Sequence, residues 1–181
     1  MEFIKLYLPE VLLIKPKIYS DSRGFFFESF RLDKFTRQVG KKIEFKQDNH
    51  SGSDKGVLRG LHYQINKPQG KIIRVVKGEI FDVAVDIRKS SPNFGKWAGT
   101  KLSSENNEQI WIPEGFAHGF LTLTENTEVL YKSTNLYSPE DERCILWNDY
   151  SLAIKWPLSD QPLVSEKDEK GSLFKDADFF E

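Results

Sequence analysis

Ile72-Ile-Arg-Val-Val-Lys-Gly-Glu-Ile-Phe-Asp-Val-Ala-Val-Asp-Ile87 is the stretch whose reading decides the fold class. Phe81, Val83, Val85 and Ile87 alternate with Asp82, Ala84 and Asp86, the two-residue period of a strand with one buried face. Residues 72–76 read as a second strand, and Lys77-Gly78 as the turn of a hairpin joining the two. Outward from this pair, residues 97–102, 108–112, 116–124, 127–136 and 143–147 read as further short strands. Ser103-Ser-Glu-Asn-Asn107, Pro113-Glu-Gly115 and Ser138-Pro-Glu-Asp141 between them are turn chemistry. Only residues 32–39 suggest a helix, with Leu32, Phe35 and Val39 near helical spacing. Many short strands at intervals of about 8–12 residues predict a mainly β sandwich or barrel, a jelly roll among them.

With 181 residues, the chain reads as one domain, 1–181, with an acidic end at about 171–181. Residues from Ser159 onward are charged and read as a solvated, loosely held tail. Twenty-six Lys and Arg oppose 27 Asp and Glu, so no global field attracts nucleic acid or a membrane, and any anion site must be local. Cys144 is the only cysteine, which excludes an intrachain disulfide and a multi-cysteine zinc site. The longest purely apolar run is Val11 to Ile14, far short of the roughly 20 residues of a membrane span. A soluble, cytoplasmic protein is expected.

The chemistry concentrates in two segments, Val57-Leu-Arg-Gly-Leu-His-Tyr-Gln64 and Pro113-Glu-Gly-Phe-Ala-His-Gly-Phe120. On strands, His118 shares a face with Phe116 and Phe120, and His62 with Leu58, Gly60 and Gln64. An imidazole turned into a barrel needs a partner. Metal-binding cupins use a His-x-His pair, a nearby Glu and a later His. Here Gln64 stands in the second position, no Glu follows before Glu79, and one remaining imidazole cannot hold a divalent ion. No metal is expected. Arg23, Arg59, Lys71 and Lys167 could hold a diphosphate. Arg59 and His62 differ by three, which places them on opposite faces of a regular strand. Both can enter one pocket only if Gly60 marks a bulge or bend.

Asp21-Ser-Arg-Gly-Phe-Phe-Phe-Glu28, Gln47-Asp-Asn-His-Ser51, Leu58-Arg-Gly-Leu-His-Tyr-Gln64, Pro113 to Phe120 and Ser165-Glu-Lys-Asp168 together resemble the dTDP-4-dehydrorhamnose 3,5-epimerase family, from about residue 3 to 170. The resemblance implies a cupin-type jelly roll with a few short helices and no cofactor. It also implies a homodimer with N-terminal strands exchanged between subunits. The activity implied is conversion of dTDP-4-dehydro-6-deoxy-D-glucose to dTDP-4-dehydro-L-rhamnose in dTDP-L-rhamnose synthesis. By position, His62 matches the catalytic base, Asp168 the carboxylate that orients it, and Tyr131 the general acid. Lys71 and His118 match residues lining the sugar and its C4 oxygen. Arg59, Gln47 and Asn49 match nucleotide and phosphate contacts, Arg23 and Glu28 contacts reaching the nucleotide from the partner subunit, and Glu142 and Lys167 further binding positions.

The residue types suit that chemistry without the family. Inverting a carbon beside a ketone needs a proton removed from one face and another returned to the opposite face. A histidine, ordinarily near pKa 6.5, suits abstraction, and a neighbouring Asp fixes its tautomer. Tyrosine, ordinarily near pKa 10, keeps its proton to donate. The intermediate enolate needs a preorganised cation or donor, for which Lys71 and His118 are candidates. Three other readings share some of these features. A sibling that inverts one carbon would carry the same set, a non-catalytic nucleotide-sugar binder would not need base and acid together, and a metal-dependent cupin is disfavoured by Gln64.

Overall fold

The computed structural model describes residues 1–181. Thirteen strands dominate it. β1 (Glu2–Lys5), β2 (Leu12–Lys15), β10 (Gln109–Ile112), β7 (Lys71–Lys77), β12 (Thr127–Ser133) and β5 (Gln47–Ser53) lie in that order in one sheet. β13 (Glu142–Cys144), β6 (Leu58–Gln64), β11 (Phe116–Thr122), β8 (Glu79–Asp86) and β9 (Trp97–Ser103) form the other. All pairings in both are antiparallel. β3 (Ile18–Asp21) and β4 (Gly24–Phe27) make a separate ribbon. The expected mainly β architecture is what forms. No helix is long and apolar enough to cross a membrane.

The Lys77-Gly78 hairpin does not form. β7 pairs with β10 and β12, whereas β8 pairs with β11 and β9, so the dipeptide carries the chain from one sheet to the other. Gly78 adopts φ +80°, and a Cβ there would lie 2.4 Å from Thr124 Oγ1. A tight glycine turn between two apolar runs looks the same in sequence whether the strands pair or part.

β8 also buries both faces rather than one. Ile80, Ala84 and residues of β7, β9, β10, β11 and β12 fill the space between the sheets. Val83, Val85 and Ile87 pack on the other side with Leu61, Tyr63, Ala117, Ile145 and Leu152. That outer face is covered by the C-terminal segment, which is therefore not a solvated tail. Phe174, Phe179 and Phe180 pack against it, Tyr63 Oη donates to Asp178 O at 2.6 Å, and Phe180 bridges to Arg88. Phenylalanines spaced among charges carry no strand or helix period, so their burial was invisible to a periodicity argument.

A third apolar cluster explains the helix. α1 (Leu32–Val39) ends at Gly40 in the left-handed conformation, whose N–H donates to Thr36 O, a common glycine stop. Phe35, 1% exposed, packs with Leu12, Ile14, Ile43, Ile72 and Trp111 over the outer face of the six-stranded sheet. Its ring meets Trp111 edge-on at 5.0 Å. Both sheets are thus covered outside as well as filled between, which holds the inward-facing side chains in fixed positions.

β5 was not foreseen, because Gln-Asp-Asn-His-Ser-Gly-Ser contains no apolar residue. Its seven-residue ladder with β12 forms it instead, and its odd-numbered residues are the less exposed ones. The strand expected at residues 127–136 stops at Ser133, and the one at 143–147 is shorter, Glu142–Cys144.

Candidate active site

Gly60 resolves the parity conflict between Arg59 and His62. Arg59 pairs with Phe120 and His62 with His118, so Gly60 and Leu61 together stand opposite Gly119 alone. This is a bulge, and it turns both side chains to the same side. Gly60 sits at φ +127°, and a Cβ on it would lie 2.5 Å from Gly119 Cα. Only glycine fits there. The Gly60 N–H donates to Asp168 Oδ2 at 3.2 Å.

Asp168 comes from α2 (Glu166–Glu169), a single turn begun by Ser165, whose Oγ accepts the Asp168 N–H at 3.2 Å. The carboxylate is 2% exposed, and its Oδ1 lies 2.6 Å from His62 Nε2. His62 thus spends one nitrogen on Asp168 and keeps Nδ1 for another partner. Burial alone would raise the Asp168 pKa, but hydrogen bonds from His62, Gly60 and Ser165 and the His62 charge hold it below the usual carboxylate value.

His118 is 8% exposed and bonds Asp82 Oδ2 through Nε2 at 2.9 Å. Sequence reasoning missed Asp82, because the alternation of β8 assigned it to solvent. It is 0% exposed on the inner face. Burial pushes the His118 pKa down against the pull of Asp82. Lys71, 8% exposed, is lowered by burial to about 8, with Asp82 and Glu142 opposing the shift.

Tyr131 stands directly opposite Asn49 on the β12–β5 ladder. Its pKa is raised by burial, with Arg59 opposing and Glu142 adding to the shift, so the phenol keeps its proton. Two openings meet at a shared wall of His62, Lys71, Tyr131, Tyr137 and Glu142. One, of about 300 Å³, is completed by Ser51, Arg59, His118, Phe120 and Lys167. The other, of about 230 Å³, includes Gln47, Asn49, Gln64 and Gln69. Tyr137, also missed, donates to Glu142 Oε2 at 2.6 Å. It lies in a loop where no pattern marks it. Glu142 is ion-paired with Lys167. Burial would raise its pKa, but Lys167 and Tyr137 hold it down.

Ten of the twelve expected residues therefore meet at this site, Asp168 from behind His62. Arg23 and Glu28 do not. Arg23 lies at the exposed end of the β3–β4 ribbon, 2.6 Å from Asp21, and Glu28 faces Arg31 and Lys34.

Residues 5–176 match the model of the family described as dTDP-4-dehydrorhamnose 3,5-epimerase. The chain belongs to that family. The dTDP-4-dehydrorhamnose 3,5-epimerase of Shigella flexneri is 58% identical over 181 residues, covering 99% of each chain. Its counterpart in Pseudomonas aeruginosa is 56% identical over 180 residues, again covering 99% of each. A crystal structure of dTDP-6-deoxy-D-glucose-3,5-epimerase from Legionella pneumophila in complex with dTDP-4-keto-L-rhamnose superposes with a TM-score of 0.95. It is 50% identical, over 98% of this chain and 94% of that one. Family membership makes the protein an isomerase of the epimerase type and its two-sheet fold a cupin-type jelly roll.

Proposed function

We propose that this site converts dTDP-4-dehydro-6-deoxy-D-glucose to dTDP-4-dehydro-L-rhamnose by inverting C3 and C5. The observation that carries the mechanism is His62, backed by the buried Asp168, sharing one cavity wall with a protonated Tyr131 and the Lys71 amine. His62 Nδ1 takes the proton from a carbon next to the C4 ketone, and the electron pair moves onto the C4 oxygen as an enolate. Asp168 stabilises the resulting imidazolium and holds its Nε2–H. Lys71 supplies positive charge to the enolate oxygen. His118, with Nε2–H given to Asp82, offers Nδ1 as an acceptor while it is neutral, so Lys71 is the principal cation.

Tyr131 then gives its phenolic proton to the opposite face of the carbon. The enzyme is left with a proton too many on His62 and one too few on Tyr131. Both return to their starting states through water before the second carbon reacts. Because C3 and C5 flank the same ketone, one base–acid pair can serve both after a shift of the sugar. Arg59, Gln47, Asn49, Glu142 and Lys167 are the proposed contacts to the nucleotide, diphosphate and sugar.

Arg23 and Glu28 reach a substrate only from another subunit. The β3–β4 ribbon exposes Tyr19, Phe25 and Phe26 at 56%, 64% and 73%, an apolar surface that a second copy would cover. A homodimer with N-terminal strand exchange supplies both needs. A nucleotide-sugar substrate supports a cytoplasmic location.

Incubating the protein with the 4-keto sugar nucleotide in D₂O tests the reading. Deuterium at both C3 and C5 of an inverted product is expected. Deuterium at one carbon alone would assign the chain to single-carbon epimerisation, and none at either would remove the proposal.

A further inference from the structure

Three metal-ligating atoms lie together behind the base. Cys144 stands directly opposite His62 on the β13–β6 ladder, and α2 brings Asp168 between them. His62 Nε2 and Asp168 Oδ1 are 2.6 Å apart, Cys144 Sγ is 4.0 Å from Asp168 Oδ1, and all three lie within 4.8 Å of one another. We propose that His62, Cys144 and Asp168 form a binding site for a borderline-soft divalent cation of the zinc type, and that its occupancy silences the base.

The donor set is the first argument. One imidazole nitrogen, one sulfur and one carboxylate oxygen suit zinc, cadmium or cobalt, not the all-oxygen shells of magnesium or calcium. Tetrahedral zinc, with sulfur at about 2.3 Å and nitrogen and oxygen at about 2.0–2.2 Å, sets its ligand atoms roughly 3.2–3.6 Å apart. The His62–Asp168 and Cys144–Asp168 separations of 2.6 and 4.0 Å lie on either side of that range, so the ligands must shift to close on an ion. The atoms come from three elements, β6, β13 and α2, and the carboxylate is already steadied through its other oxygen by Gly60 N–H. Such outer bonds orient a ligand before the ion arrives. The site lies on the Asp168 side of the ring and differs from the cupin metal position, where Gln64 stands.

Coordination through Nε2 moves the single imidazole proton by way of solvent to Nδ1, and one proton, from the Cys144 thiol, is released. The cation then occupies the place from which Asp168 stabilises the imidazolium, and Nδ1, now carrying the proton, cannot accept another. Inhibition is thus expected without any contact between ion and substrate.

Cadmium is the probe, because cadmium–thiolate bonds give an ultraviolet charge-transfer band that needs no turnover. Chelator-treated full-length protein should show this band with about one cadmium per chain, and Cys144→Ser should lose it. Zinc should inhibit epimerisation reversibly. Its half-inhibitory concentration should rise at least about tenfold in Cys144→Ser, the scale on which even outer-ligand losses weaken metal sites. No band, or a band that survives Cys144→Ser, overturns the site. A band of the expected stoichiometry with undiminished turnover overturns the silencing. Inhibition rests on the epimerase reading and the band does not, so failure of one is distinguishable from failure of the other. If Cys144→Ser is inactive, loss of the band in Asp168→Asn provides a second reading of the same ligand set.

Discussion

At the scale of single residues, His62 and Tyr131 should fail in different ways. His62→Ala should abolish both inversion and solvent exchange at C3 and C5, since no enolate forms. Tyr131→Phe retains the ring and lacks only the donor, so His62 can still remove a proton and return a solvent-derived one to the same face. Exchange should persist while inversion falls by about 10²–10⁴-fold. NMR of the sugar in D₂O reads both at once, and near-parental inversion by Tyr131→Phe would transfer the acid's role to another group. Asp82 acts at one remove. It lies beside Lys71 and His118 and raises both pKa values against burial. Lys71 near 8 predicts that kcat/KM falls on the alkaline side of about pH 8, as the amine loses its charge. Asp82→Asn should move that limb to lower pH, whereas a purely structural Asp82 would scale the profile without moving it. Stability runs the other way. The folded Lys71 pKa lies below its unfolded value, so the unfolded chain binds more protons between about 8 and 10.5, and this contribution to stability rises with pH across that window.

At the scale of elements, the bulge in β6 brings the proposed phosphate contact and the proposed base to one cavity. One extra residue turns Arg59 and His62 to the same side, and the same Gly60 supplies an N–H to Asp168. Gly60→Ala meets both a positive φ and the Gly119 backbone. A loss of more than about 2 kcal/mol is expected in a urea titration, with activity per folded molecule also reduced. Full activity and stability in that variant would show that the bulge tolerates a side chain and does not set the geometry. β5 shows the opposite economy, a wholly polar strand held by its ladder and by what it presents to the cavity.

At the scale of the whole molecule, the proposed site takes Arg23 and Glu28 from a second subunit. Arg23 and Glu28 lie away from both openings, so a second subunit should complete each cavity. Mixing inactive His62→Ala with weakened Arg23→Ala after partial unfolding and reassociation should recover activity, because a mixed dimer contains one site carrying neither substitution. Sedimentation of the parent protein should give twice the chain mass. A monomer of full activity, or no recovery on mixing, would return the ribbon to a role outside catalysis.

Periodicity and turn chemistry made the β-rich class, the α1 boundaries and most inner strands legible, because buried faces repeat at fixed intervals along the chain. The motif residues around His62 and His118 were equally visible, and Gly60 could be marked as the place where parity must break. Pairing could not be read. Lys77-Gly78 is as compatible with a hairpin as with a change of sheet, and only the competition among all the strands for neighbours chose the second. Burial of Asp82 followed from that choice, since which face of β8 is inside depends on what covers the other. The covering layer is the C-terminal segment, whose scattered phenylalanines and charged surroundings have no local period. It also carries Asp168 more than a hundred residues along the chain to His62. Local sequence can specify a residue's conformation, but the partner of a buried polar group is set by contacts that exist only after the chain has closed on itself.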